Sequence, residues 1–180
     1  GDSRYLAYGS TSQLRLARVD LAQGARELLV HAVSLLNPLH DDNPAEGVPV
    51  VTVAFIAACV LVFFWQLGLG EGGNEAAVMA LGVIPAVLLD RVQLPPELAL
   101  VPAGLTPLTS MFLHGGFMHL AGNMLYLWIF GNNVEDAMGH VRFVFFYLLC
   151  GIAAVFGQVL QDPGSEIPMI GASGAISGLE

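Results

Sequence analysis

Between Glu46 and Glu71 the chain runs from Gly47 to Gly70 without a charge, and few folds accept such a segment. A helix needs about 20 predominantly apolar residues to cross a hydrocarbon core of about 30 Å, because each residue advances it by only about 1.5 Å. This stretch meets that length and exceeds what a soluble core helix requires, so the chain reads as an integral membrane protein. A second uncharged stretch covers Val92 to Pro96 and, past Glu97, Leu98 to Val134, but its middle is rich in Pro and Gly. Only its last part, about Phe117 to Phe130, has a helical pattern. A third apolar run, Phe143 to Leu160, lies between Arg142 and Asp162 with Gln158 as its one amide, and it too is long enough to span. Composition agrees: AVILMFWYC account for 55% and Gly for 21 of 180 residues, together about two thirds of the chain against roughly 45–50% in soluble domains. The expected fold is all-α, a polytopic transmembrane bundle with spans over about 48–69, 117–131 and 143–160 and the start of a fourth over 171–180.

Residues 1–37 hold no continuous apolar core, although Leu14, Ala17, Leu21, Ala25, Leu28, Ala32 and Leu35 recur at helical spacing. They read as an amphipathic cytoplasmic extension or a non-native leader rather than a secretory signal, since no small-residue cleavage site follows an apolar run. The first methionine is Met79, so an upstream segment translated in frame is a further reading of the amino end. Asn37 to Pro44 is polar and twice broken by Pro, which makes it a linker into a membrane domain over 38–180. Between the first two spans the apolar patch Ala76 to Leu89 is short and Pro-interrupted. It suits a loop dipping into or lying on the interface. No internal repeat is found.

The net charge of -9 sets fifteen acids against six bases, all Arg, and nothing points to nucleic acid. Four of the Arg precede the first span and Arg142 lies between the second and third, so the positive-inside rule puts the amino end in the cytoplasm, Arg91 being a mild exception. A bacterial inner membrane is the expected location. Cys59 and Cys150 sit in separate apolar runs, where free thiols act as small hydrophobes rather than as a disulfide or metal pair.

With that orientation the second span begins at the outer face near Phe117, and the fourth segment, from Met169, begins there as well. His114, His119 and Asn123 then stand at the top of one, and Ser173, in Gly171-Ala-Ser-Gly-Ala-Ile-Ser-Gly178, at the top of the other. His119 and Asn123 are four apart and share a helix face. Polar side chains in a bilayer are costly unless they face the bundle interior or a water-filled cavity, which makes a functional site the default hypothesis. Each residue alone also has an ordinary explanation. Gly174 and Gly178 form a GxxxG packing pair, Ser173 could bond across a helix interface, and His119 with Asn123 could be an interhelical clasp. His114 with Gly115-Gly116 reads as a helix-entry turn, His140 as a solvated surface residue, and Glu135 and Asp136 as interface charges.

Taken together, His114-Gly-Gly-Phe-Met-His119-Leu-Ala-Gly-Asn123, Gly131-Asn-Asn-Val-Glu135 and Gly171-Ala-Ser173-Gly174 resemble the rhomboid proteases in order, spacing and topology, over about Pro38 to Glu180. The resemblance implies an intramembrane serine endopeptidase that cleaves transmembrane protein substrates, without metal or organic cofactor. It implies Ser173 as nucleophile, and His119 and Asn123, with the Ser173 N–H, as holders of the oxyanion. The chemistry fits, because a serine hydroxyl needs a base and a tetrahedral oxyanion needs fixed donors.

The family's dyad histidine lies on a later helix, and none of the histidines at 31, 40, 114, 119 and 140 is at a matching position. Residues 1–180 by themselves are therefore expected to be inactive and unlabelled by serine-directed fluorophosphonates. The Trp-Arg pair of some relatives' outer loop is replaced by Leu105-Thr106 before Pro107, which bears on the loop rather than on the chemistry. Two rival readings are a rhomboid-like pseudoprotease that binds or escorts membrane clients, marked by the lack of a downstream histidine, and a transporter fragment, whose polar groups would lie deeper, near the bilayer midplane.

Overall fold

A computed structural model describes residues 48–179. The amino-terminal helical pattern, the linker and the proposed domain boundary all fall outside the described residues.

The first uncharged stretch forms helix α1, Val50–Gly68. Leu69 continues in helical geometry, and Gly70 then takes φ +69°, a left-handed value that glycine adopts without a Cβ penalty. That reversal starts a second helix, α2, over Gly70–Leu81. Sequence reading makes part of this region, from Ala76 on, a loop because the apolar patch is short and Pro-interrupted. The helix forms because Glu75, Ala76, Ala77, Met79, Ala80 and Leu81 are strong helix formers that outweigh the glycines of the first turn. Short helix α3, Pro85–Leu88, opens on a proline at its first position, where the missing N–H costs nothing. A 3₁₀ turn at Ala103–Leu105, helix α4 at Thr106–Thr109 and a second 3₁₀ turn at Ser110–Phe112 lead into the long helix α5, Phe117–Met138. Helix α6 follows at His140–Gln161, and the short helix α7 at Ser173–Ile176 ends the described chain. The described residues hold no β-strand, only one antiparallel bridge between Val83 and Met169.

Two of these helices, α1 and α6, are long and apolar enough to cross a membrane, and in each only 22% of the best 18-residue window is buried. A soluble core helix would hide most of such a window. Instead Leu61, Phe145, Leu149 and Leu160 are 62–80% exposed, as lipid-facing side chains are. The protein is an integral membrane protein with an all-α fold.

The interior is built from aromatic and small residues. Phe55 of α1 stacks on Tyr147 of α6 with centroids 4.5 Å apart, and Phe112 and Phe143 lie 6.3 and 6.4 Å from Phe55. Ala172, Ala175 and Ile176 join the same cluster. Small residues set the distance between α6 and α7: a Cβ at Gly174 would lie 2.7 Å from the Ala154 Cβ, so no larger side chain fits there. Cys59, fully buried beside Phe63 and Leu120, and the half-buried Cys150 are both unpaired.

At the opposite end from Ser173, Glu135 is 1% exposed and binds the start of α1. Its carboxylate accepts the Val51 N–H at 2.8 Å and the Thr52 N–H at 2.7 Å, and His140 Nδ1 lies 2.6 Å from Oε1. The first turn of α1 has no cap of its own, Pro49 standing at its N-cap, so this distant carboxylate satisfies the free N–H groups and the positive end of the helix dipole. Glu135 is thus a buried cap rather than an interface charge, and His140, although exposed, is its partner rather than a free surface residue. Glu135→Ala is expected to lower the unfolding free energy in detergent by about 2–3 kcal/mol, since it strips a charged acceptor from two N–H donors. Glu135→Gln, with one acceptor oxygen left, should lose about half as much.

Candidate functional site

The loop from Asp162 to Ala172 carries the Ser173 segment, and backbone hydrogen bonds fix it from two sides. Met169 and Val83 exchange N–H···O bonds at 2.7 and 3.0 Å, the Ala86 N–H reaches the Ser165 carbonyl at 3.0 Å, and the Gly171 N–H donates to the Ser110 carbonyl at 2.9 Å. Gly171 then adopts φ +118°. That turn places Ala172 in the core and leaves Ser173, the first residue of α7, exposed. The Ser173 carbonyl accepts the Ser177 hydroxyl at 2.8 Å, while the Ser173 Oγ makes no hydrogen bond within the described residues.

His119 and Asn123 lie on the first turns of α5 and face this segment. A Cβ built on Gly171 would be 2.7 Å from both Cε1 and Nε2 of His119 and 3.6 Å from Asn123 Nδ2. Ring and amide therefore stand directly over the Gly171 backbone, two residues before Ser173. Asn123 is 8% exposed, and its Nδ2 is buried without a hydrogen-bond partner. Such a group forfeits its bond to water without replacement, as do Thr52 Oγ1, His114 Nε2 and Asn133 Oδ1 elsewhere among the described residues, and its place near Gly171 makes it available to an occupant there. On the far side of the His119 ring, the Gly115 N–H donates to Nδ1 at 3.3 Å. A nitrogen that accepts carries no proton, so the neutral ring bears its hydrogen on Nε2, the atom next to Gly171. His119 Nε2 and Asn123 Nδ2 are then two donor atoms near one point, 2.7 and 3.6 Å from the place of a Gly171 Cβ.

In the turn that enters α5, where Gly115 is exposed, His114 beside it is 1% exposed. Burial lowers its pKa to about 4, the Phe112 carbonyl 3.2 Å from Nδ1 opposing the shift and nearby His119 adding to it. It is neutral at physiological pH. Its ring meets that of His119 edge to face with centroids 5.3 Å apart. Sequence reasoning also does not single out Gln66, 2% exposed near the end of α1. The available signal was an amide in an otherwise apolar helix, costly in a bilayer unless satisfied.

A cavity of about 500 Å³ opens beside Ser173, bounded by Ser110, Met111, Gly151, Ala154 and Gln158. It is large enough for a side chain of a peptide. Another, of about 480 Å³, lies among Ile84, Asp90, Leu100 and Thr106 and touches none of the candidate residues. Among the described residues no three His, Cys, Asp or Glu side chains gather to hold a metal ion.

Residues 104–180 match the family model described as Rhomboid domain. Rhomboid protease GluP of Bacillus subtilis (strain 168) is 36% identical over 167 residues, covering 90% of this chain and 30% of its own length. RHOMBOID-like protein 5 of Arabidopsis thaliana is 36% identical over 72 residues, covering 40% of this chain and 23% of its own. Presenilin-associated rhomboid-like protein, mitochondrial, of Mus musculus is 37% identical over 71 residues, covering 38% of this chain and 19% of its own. The chain thus spans less than a third of the length of each of these curated relatives. No solved structure matches. With its helical membrane fold and the similarity to Rhomboid protease GluP over nine tenths of its length, the chain belongs to the rhomboid family.

Proposed function

We propose that the full-length protein is an intramembrane serine endopeptidase in which Ser173 is the nucleophile and His119 and Asn123 stabilise the oxyanion. The observation that carries this reading is the buried, unpartnered Asn123 Nδ2 beside His119 Nε2, both set over the backbone that leads into an exposed, unbonded Ser173 hydroxyl. In the reaction the Ser173 Oγ attacks the scissile carbonyl carbon and gives its proton to a base. The carbonyl oxygen becomes an anion, and the two side-chain donors together with the Ser173 N–H receive it. Collapse expels the amine, which takes the proton from the conjugate acid, and water then releases the acyl group by the same steps.

None of the described histidines is suited to be that base. The lone pair of His119 faces Gly115 and its other nitrogen is a donor, while His114 is enclosed away from the surface. His140 follows the far end of α5, about 30 Å from the first turn at about 1.5 Å per residue. The base of this reading comes from outside the described residues. The lipid-facing surfaces of α1 and α6 support substrates that are themselves transmembrane segments and reach Ser173 within the bilayer. The arginine distribution supports a cytoplasmic amino end, and the similarity to a Bacillus subtilis protein supports a bacterial cell membrane.

The test is kinetic. His119→Ala and Asn123→Ala in the full-length protein should each lower kcat on a model transmembrane substrate by about 10²–10³ with KM unchanged, because an oxyanion donor acts in the transition state. An effect confined to KM, or a fall in activity matched by a fall in unfolding temperature, would replace this role with substrate binding or with a structural clasp.

A further inference from the structure

We infer that Gln66 is a positioning residue for this reaction: through the peptide group joining His114 to Gly115 it holds His119 as the Nε2–H tautomer. The inference rests on the oxyanion role proposed for His119. In the last turn of α1, the Gln66 side-chain amide pairs with both backbone groups of His114. Its Oε1 accepts the His114 N–H at 3.0 Å, and its Nε2 donates to the His114 carbonyl at 3.3 Å. The His114 N–H can only donate, which fixes Oε1 as the end of the amide facing it, and Nε2 makes a third bond to Asn74 Oδ1 of α2 at 2.9 Å.

The His114 carbonyl and the Gly115 N–H lie in one rigid, trans peptide plane and point in opposite directions within it. One side is held by Gln66 Nε2. The other donates to His119 Nδ1 at 3.3 Å. A line of bonds donating in one sense therefore runs from Gln66 through the peptide to His119, and such bonds polarise one another, while Asn74 accepts from the same amide nitrogen and anchors it from the side. Its last member, His119, stands over the Gly171 backbone. If the peptide tips, His119 loses the N–H that keeps Nδ1 unprotonated, and the ring can place its hydrogen on the wrong side.

The experiment uses the full-length protein with ¹⁵N-labelled histidine, His119 being assigned by comparison with His119→Ala. The wild type should show one His119 tautomer, with Nδ1 unprotonated. Gln66→Met, of similar length but without the hydrogen bonds, leaves the His114 N–H and carbonyl unpaired and should lower the unfolding temperature; assayed well below that temperature it should show a mixture of tautomers and a kcat about tenfold lower at unchanged KM, a smaller loss than the roughly 10²–10³ for removing the donor itself. Gln66→Glu keeps an acceptor for the His114 N–H but loses the donor to its carbonyl, and should behave like Gln66→Met. If Gln66→Met does not fold, Asn74→Ala, which only releases the amide, should move the tautomer balance the same way. A protonated Nδ1 in the wild type, a single unchanged tautomer in the variants, or a wild-type kcat in Gln66→Met below its unfolding temperature would each overturn the inference. Failure of the underlying reading looks different: His119→Ala would retain full kcat whatever the tautomer.

Discussion

Ser173→Ala in the full-length protein is expected to remove hydrolysis of a model transmembrane substrate to background, a loss of at least about 10⁴-fold, because no other group can form the acyl intermediate. The same substitution should leave the unfolding free energy within about 0.5 kcal/mol of the wild type. Ser173 is exposed, its Oγ has no hydrogen-bond partner within the described residues, and the carbonyl that anchors Ser177 is backbone, which alanine retains. Activity and stability should therefore separate completely. Cleavage assayed by gel mobility, alongside thermal unfolding in the same detergent, reads both. Full cleavage by the variant would withdraw the nucleophile assignment.

Gly171→Ala should be nearly as damaging without touching a reactive group. Two costs add. The backbone at Gly171 has φ +118°, where an L side chain is strained by on the order of 1–3 kcal/mol. The new methyl would also sit 2.7 Å from Cε1 and Nε2 of His119, so the ring or the loop must move. If the ring moves, the donor is lost; if the loop moves, Ser173 goes with it. The expected result is a fall in kcat of at least about 10³-fold, since either displacement removes an oriented group, together with about 2 kcal/mol of stability. Gly122→Ala and Gly157→Ala are the controls. Nothing lies within 4 Å of a Cβ at either position, and both should retain activity. Wild-type activity in Gly171→Ala would mean that the contact with His119 has no catalytic consequence.

The features that are local in sequence are those a reader can find without a structure. Uninterrupted apolar runs give α1 and α6, because in a bilayer length and lack of charge suffice. The four-residue spacing of His119 and Asn123 places them on one face of α5, and the glycines around Ser173 mark a close approach of backbones. Features that depend on distant partners are hidden. Glu135 looks like a charge at a helix end until its partners appear 83 and 84 residues earlier. Gln66 meets the His114 backbone across 48 residues, and a backbone acceptor leaves no trace in residue identity. Helix α2 is obscured by its own first turn, where Gly70, Gly72 and Gly73 signal a loop although the residues after them dictate a helix.

The cap on α1 also sets an order of events during synthesis. Val51 leaves the ribosome long before Glu135, and at about 5–20 residues per second their separation of 84 positions takes on the order of ten seconds. Throughout that interval the first membrane helix carries free N–H groups that only water or lipid headgroups can satisfy. Its end is finished only once the last turn of α5 has been made, so closure at that side of the bundle is a late step, completed by a residue the nascent chain does not yet contain when the helix first enters the membrane.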